Sequence, residues 1–166
     1  MTLEEMVDAY ALDVRRYLYR RLTGLPDPAS TADELTADVL VVAWRRRGDV
    51  PPGSELPWLY AVARRVLANY RRHPQEVLVA DLGELDAIDE ADPAEIVSDN
   101  AALAEAWRGI SARDREVLRL VAWEGLNGAQ LAAALGISEG GAAAALSRAR
   151  SRFEESLAGV QGMPAG

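Results

Sequence analysis

The stretch LNGAQLAAALGISEGGAAAALSRARSR, Leu126–Arg152, decides how this chain is read. Its spacing predicts two short helices joined by a tight turn. Gln130–Leu135 forms the first, with Leu131 and Leu135 four apart on one face. Gly136 supplies the permissive backbone that ends a helix, and Ser138 is a good N-cap for the next. On that second helix Ala142, Leu146, Ala149 and Phe153 repeat at helical spacing and are expected to face inward. Arg148, Arg150 and Arg152 then lie toward other faces. Helix, short glycine-containing turn and helix at a steep angle make a helix-turn-helix, whose second helix fits a DNA major groove. An ordinary helical hairpin that only packs a core is the competing reading of this segment.

Charge sharpens the choice. The chain of 166 residues carries a net charge of −8, which at first argues against a nucleic-acid partner. The acidity is local, however. Residues 1–73 hold eleven Arg against ten acids, residues 74–112 one Arg against ten, and residues 113–166 six of each. Two near-neutral segments therefore flank a strongly acidic one. Near-neutral modules grip a polyanion weakly unaided, because affinity comes largely from neutralising phosphates. Either DNA is not the partner, or something larger supplies most of the hold.

Three parts separate along the chain, all helical, with no strand expected. A helix runs from Leu3 to about Leu22 and is broken by GLPDP at Gly24–Pro28. Ser30 or Thr31 is expected to cap a second helix through Arg47, burying Leu35, Val39, Val42 and Ala43. Gly48–Glu55 reads as a loop. Pro57 opens a third helix to about Arg72, on which Trp58, Leu59, Val62, Val66 and Tyr70 repeat every three or four residues. Pro74 ends it, and the acidic Gln75–Asp99 reads as a solvated linker. Helical signals resume near Asp99 with Leu103, Trp107 and Ile110. Ser111 with Asp114 resembles a capping box, and Val117, Leu118 and Val121 are expected to pack inward behind it. Gly159–Gly166 reads as a frayed tail.

The order of these segments resembles a small sigma factor of RNA polymerase, of the extracytoplasmic-function (group IV) type. The resemblance rests on DELTADVLVVAWRR (Asp33–Arg46), LPWLYAVARRVLANYRR (Leu56–Arg72), ISARDREVLRLVAWEGLNGAQLAAALGIS and LSRARSRFEESL (Leu146–Leu157), with the acidic connector between. It implies an all-α fold of two small helical domains. Residues 1–74 are a sigma2-like bundle, 75–99 an acidic flexible linker, 100–160 a sigma4-like helix-turn-helix domain and 161–166 a tail.

Functional residues follow from the same resemblance. Asp33, Glu34, Asp38, Val41, Trp44 and Arg45 would meet core RNA polymerase. Dipole matching on an exposed helix is the blander account of those acids and arginines. Asp49, Arg64, Arg65, Asn69, Arg71 and Arg72 would hold the opened promoter −10 element, whose bases must leave the stack. Arg64 and Arg71 are expected on one face of their helix, Arg65 and Asn69 on another, with Trp58 in the core. Arg65 stands where the family often has Asn. Ser138, Glu139, Ala143, Ala144, Ser147, Arg148 and Arg150 would face the −35 element. Alanine makes no bidentate base contact, and phosphate contacts orient without specifying. Recognition of the −35 element is therefore expected to be weak, read from DNA shape, or partly lost.

The implied function is to bind core RNA polymerase and direct promoter recognition and transcription initiation. The alternative is a sigma-like interaction protein that occupies polymerase or another partner without promoter-specific initiation. A stand-alone helix-turn-helix regulator is a third reading. No enzyme is expected: the single His73 sits at a helix end, and no nucleophile constellation, metal-ligand spacing or phosphate loop is present. No cofactor or metal is expected either. The acidic, amphipathic N-terminus is unlike a signal peptide, no run approaches a membrane span, and the chain is expected to be cytoplasmic. Family resemblance adds an anti-sigma factor to core polymerase and promoter DNA as a partner.

Overall fold

Helix-forming runs alternate with short breaks, and each run buries one apolar face. In the computed structural model, residues 2–72 and 99–162 are described. Among them are seven α-helices and no strand: α1 (Leu3–Arg21), α2 (Pro28–Arg45), α3 (Glu55–Arg72), α4 (Ala101–Arg108), α5 (Ala112–Ala122), α6 (Gly128–Leu135) and α7 (Glu139–Val160). The all-α expectation holds. The chain divides into two compact units, the first built on α1–α3 together with Ala133–Gly136 and the second on α4, α5, the start of α6, and α7. His73, nearly all of the expected linker and the end of the tail lie outside the described residues.

In the first unit α1 starts at a complete capping box, in which Glu5 N donates to Thr2 Oγ1 and Thr2 N to the Glu5 carboxylate. Val14, Tyr17 and Leu18 of α1 meet Leu35, Val39 and Ala43 of α2 and Leu59, Val62 and Leu67 of α3 in the core. Tyr17 and Tyr60 stack with centroids 5.2 Å apart, joining α1 to α3. The Arg21 guanidinium lies over the Tyr17 ring, 3.5 Å from its centroid.

The expected cap of α2 needs correction. Asp27, not Ser30 or Thr31, accepts from Ser30 N, and Pro28 occupies the first turn, where its missing N–H costs nothing. The helix also stops at Arg45, because Arg47–Asp49 tightens into a single 3-10 turn. Glu55 belongs to α3 rather than to the loop.

In the second unit α4 and α5 both pack on α7. Asn100 caps α4 and Ser111 caps α5. Only half of the expected Ser111–Asp114 box forms. Asp114 N donates to Ser111 Oγ, but the buried Asp114 carboxylate accepts from Arg152 Nη1 at 3.2 Å instead of turning back. Leu120, rather than Leu118 or Val121, joins Val117 in the core, both being half-exposed where Leu120 is 1% exposed. Phe153 is half-buried and meets Trp107 edge-on at 6.0 Å. Helix α7 runs through Gly159 to Val160, so the tail begins later than Gly159.

Candidate functional site

Three outward faces collect the residues of interest. On α2 the exposed Glu34, half-buried Asp38, Val41 (40% exposed) and exposed Arg45 recur at intervals of four, three and four, which sets them on one stripe. Asp33 and Trp44 flank it. Asp33 accepts from Arg15 Nε at 2.6 Å, and Arg47 lies over the Trp44 ring at 4.1 Å. Burial, and then the neighbouring Glu34 charge, push the Asp38 carboxyl above its ordinary value. Its Oδ2 is buried and has no hydrogen-bond partner.

On α3 the middle turns are almost wholly covered; Arg65 and Asn69 are half-buried, as are Tyr70 and Arg71, and Arg72 is exposed. Arg72 Nη2 donates to Asn69 Oδ1 at 3.2 Å, and Arg72 Nε to the Ala68 carbonyl. Arg65 Nε is buried without a partner. Arg64 and Arg71 do share a face, but Arg64 is buried there and Arg71, half-buried, is tied to α1. Arg64 is 7% exposed and engaged within the protein, and Arg71 Nη2 donates to the Arg21 carbonyl at 2.8 Å. The reason is position: Tyr60, Arg64 and Arg71 all fall on the side of α3 that meets α1. Trp58 is buried. Asp49 is exposed at the 3-10 turn and accepts from Arg46 Nε at 3.0 Å.

The helix-turn-helix is built as its residues dictate. Asn127 and Gln130 cap α6 reciprocally, with Gln130 N donating to Asn127 Oδ1 and Asn127 N to Gln130 Oε1. Leu131 and Leu135 are buried, and Gly136 takes φ 68° to turn the chain. Ser138 Oγ then accepts from Gly141 N at 3.0 Å. On α7, Ala142, Ala145 and Ala149 are buried, while Glu139, Ala143, Ala144, Ser147, Arg148 and Arg150 are exposed together with Gly140. The outward set thus has a small-residue, acid-tipped start and a basic middle. Arg152, though exposed, is held by Asp114.

Some contributors were not singled out from the sequence. Arg46 stands three residues before Asp49, which it braces, and Arg47 three after Trp44, so the spacing alone could have signalled both. The Asn127–Gln130 cap was legible for the same reason. Among the described residues, no group of three or more His, Cys, Asp and Glu gathers as metal ligands, and no helix is long and apolar enough to cross a membrane.

A three-helix unit with a polar α3 edge, and a second unit ending in a helix-turn-helix, define a class of two-region helical proteins of the sigma-70 build. The family model for sigma-70 region 2 matches residues 6–76, and that for sigma-70 region 4 matches residues 101–153. The chain belongs to the RNA polymerase sigma-70 family, in its extracytoplasmic-function (ECF) group. It is 32% identical over 142 residues to the ECF RNA polymerase sigma factor BldN of Streptomyces coelicolor, covering 81% of this chain and 52% of BldN. It is 28% identical over 157 residues to the ECF RNA polymerase sigma factor SigM of Bacillus subtilis, covering 93% and 94% of the two chains. The chain spans about half the length of BldN but nearly all of SigM. Among solved structures, the sigma factor RpoE of Bartonella quintana, crystallised with the anti-sigma factor NepR, shares the fold. Its TM-score is 0.55 at 24% identity, covering 93% of this chain and 95% of that one.

Proposed function

We propose that this chain binds core RNA polymerase and directs it to promoters for transcription initiation, performing no covalent chemistry of its own. The observation that carries the reading is the presence of sigma-70 regions 2 and 4, in that order, on two helical units of one chain. Residues 1–74 act as the core-binding and −10 domain, 75–99 as an acidic connector, 100–160 as the −35 domain and 161–166 as a tail. Core polymerase meets the α2 face of Asp33, Glu34, Asp38, Val41, Trp44 and Arg45. The Arg65–Asn69–Arg72 edge and Asp49 hold the opened −10 strand, while Arg64 and Arg71 shape that edge from behind. Exposed Arg148 and Arg150 orient the second unit on phosphates.

Polymerase as partner resolves the charge puzzle. The enzyme already holds DNA, so modest contacts from a chain of net charge −8 suffice to choose a site. The same partner places the chain in the cytoplasm. An anti-sigma protein is a further proposed partner, for which the exposed Leu12 and Val41 offer apolar contact. A second reading, occupation of polymerase without promoter-specific initiation, is favoured by the Glu-Gly-Gly-Ala start of α7, which is poor in base-reading side chains. In vitro transcription with purified core polymerase on a genomic promoter pool separates the two. Discrete start sites that depend on the chain support the first. Core binding without such transcripts supports the second, and no association with core removes both.

A further inference from the structure

Helix α1 carries an arrangement that neither the fold nor the sigma-factor reading uses. Its core side is set by Val14, Tyr17 and Leu18. At about 100° per residue, Leu12 stands almost opposite that side. It is 59% exposed, more than any other large apolar side chain among the described residues. Asp8 and Arg16, both exposed, lie one turn to either side of Leu12. Glu5 and Tyr19, also exposed, lie two turns to either side on the same face.

Helix polarity accounts for part of this charge order. Glu4 and Glu5 occupy the first turn and Arg20 and Arg21 the last, where they suit the helix dipole. That effect fades within the end turns, so it does not explain Asp8 or Arg16. Nor does it explain a leucine in the middle of the wet face. Arg16 meets Asp13 at 3.9 Å, a loose pair that leaves the Arg16 side chain 58% exposed.

Read from either end, the order of acid, leucine and base is the same with the signs exchanged. A second α1 laid antiparallel on a twofold axis through Leu12 therefore meets its complement throughout. Leu12 packs on Leu12, Asp8 faces Arg16 twice, and the Tyr19 hydroxyl donates to the Glu5 carboxylate twice. A parallel partner would set like charges together. We infer that the outward face of α1 is a self-association surface, occupied by α1 of a second copy of this chain. A 19-residue helix is about 28 Å long, short of a standard interface. The pairing is accordingly weak, with a dissociation constant on the order of 100 µM. The surface is independent of polymerase, whose proposed contacts lie on α2. A second copy and an anti-sigma protein that uses Leu12 exclude one another.

Sedimentation of the full wild-type chain at rising concentration tests this without any variant. A monomer–dimer equilibrium at low salt, weakened as salt is added, is expected. A chain that stays monomeric up to about 1 mM at low salt overturns the inference. Charge exchange then reads the geometry. Asp8→Arg and Arg16→Asp should each weaken self-association by roughly tenfold or more, since each makes two attractive pairs repulsive. Mixed in equal amounts, the two variants should form a heterodimer of about wild-type affinity, because every pair is again opposite in sign. A dimer that neither variant weakens overturns the inference. So does a mixture that stays monomeric while both variants keep their helical spectrum. Should either charge variant fail to fold, cross-linking still decides. The chain has no cysteine, so Leu12→Cys introduces a single thiol. With a mild oxidant it should form a disulfide dimer much faster than Leu3→Cys, whose exposed side chain lies on the core side of α1. Equal rates for the two overturn the inference.

Discussion

Asp38 holds a carboxylate oxygen in a buried spot with no hydrogen-bond donor, beside the like charge of Glu34. Both effects raise its pKa, so the folded state binds its proton more tightly than the unfolded state does. The sign follows. Folding is unpenalised at this site below the ordinary carboxylate range, and stability falls as pH rises through the elevated folded value. Asp38→Asn should therefore melt higher than the wild-type chain at pH 7, and the gain should vanish as the buffer is taken below the ordinary carboxylate range. Thermal melts across pH check this. If the Asp38 charge serves polymerase contact, the same variant should bind core polymerase more weakly. Arg71 and Arg72 make a second residue-scale contrast. Arg71 ties the end of α3 to the end of α1, so Arg71→Ala should lower stability by about 1 kcal/mol. Arg72 lies on the exposed edge, and Arg72→Ala should change stability by no more than about 0.5 kcal/mol while weakening capture of a single-stranded −10 oligonucleotide by the holoenzyme. Paired denaturation and binding measurements separate the two roles.

At the scale of elements, the turn between α6 and α7 governs how the outward face of α7 is presented. Gly136 sits at φ 68°, where a side chain costs about 1–2 kcal/mol. Gly136→Ala should destabilise the chain by about that amount, read from chemical denaturation, and reduce −35-dependent transcription more than transcription that relies on the −10 element. The helices themselves were legible because their apolar spacing is regular: Leu131, Leu135, Ala142 and Ala149 are buried as their periodicity predicts. The errors have local causes. Asp27 displaced Ser30 and Thr31 as the α2 cap because Pro28 suits the first helical turn and moves the start back. Leu120 displaced Leu118 and Val121 because packing against α7 chooses which side of α5 is buried, which the spacing within α5 does not.

For the whole molecule, the two units should prove separable. Fragments 1–74 and 100–162 are each expected to give a helical spectrum and a cooperative melt; loss of structure in either alone would count against the proposed domain boundaries. The full chain by itself should form no stable complex with duplex DNA at moderate salt, because its net charge of −8 opposes phosphate binding. A gel-shift with and without core polymerase reads this directly. Replacing the acids of residues 75–98 with Ser or Asn should impair initiation, or the affinity for core, if that charge passes through a basic cleft of the polymerase.

The sequence by itself determined the helical periodicities, the glycine turn, the serine cap and the charge segregation, since each depends on neighbours a few residues apart. It also determined which residues share a helix face, including the pairing of Arg64 with Arg71. Only the tertiary structure decided which of those faces meets water. Arg64 is buried and Arg71 tied down because α1 lays Tyr17 and the Arg21 carbonyl against that side of α3, and residues fifty positions apart in the chain set that last contact. Asp114 was likewise claimed by Arg152, thirty-eight residues on, and not by its own cap. Periodicity fixes an angle around a helix axis; the direction that angle points is set by what packs beside it.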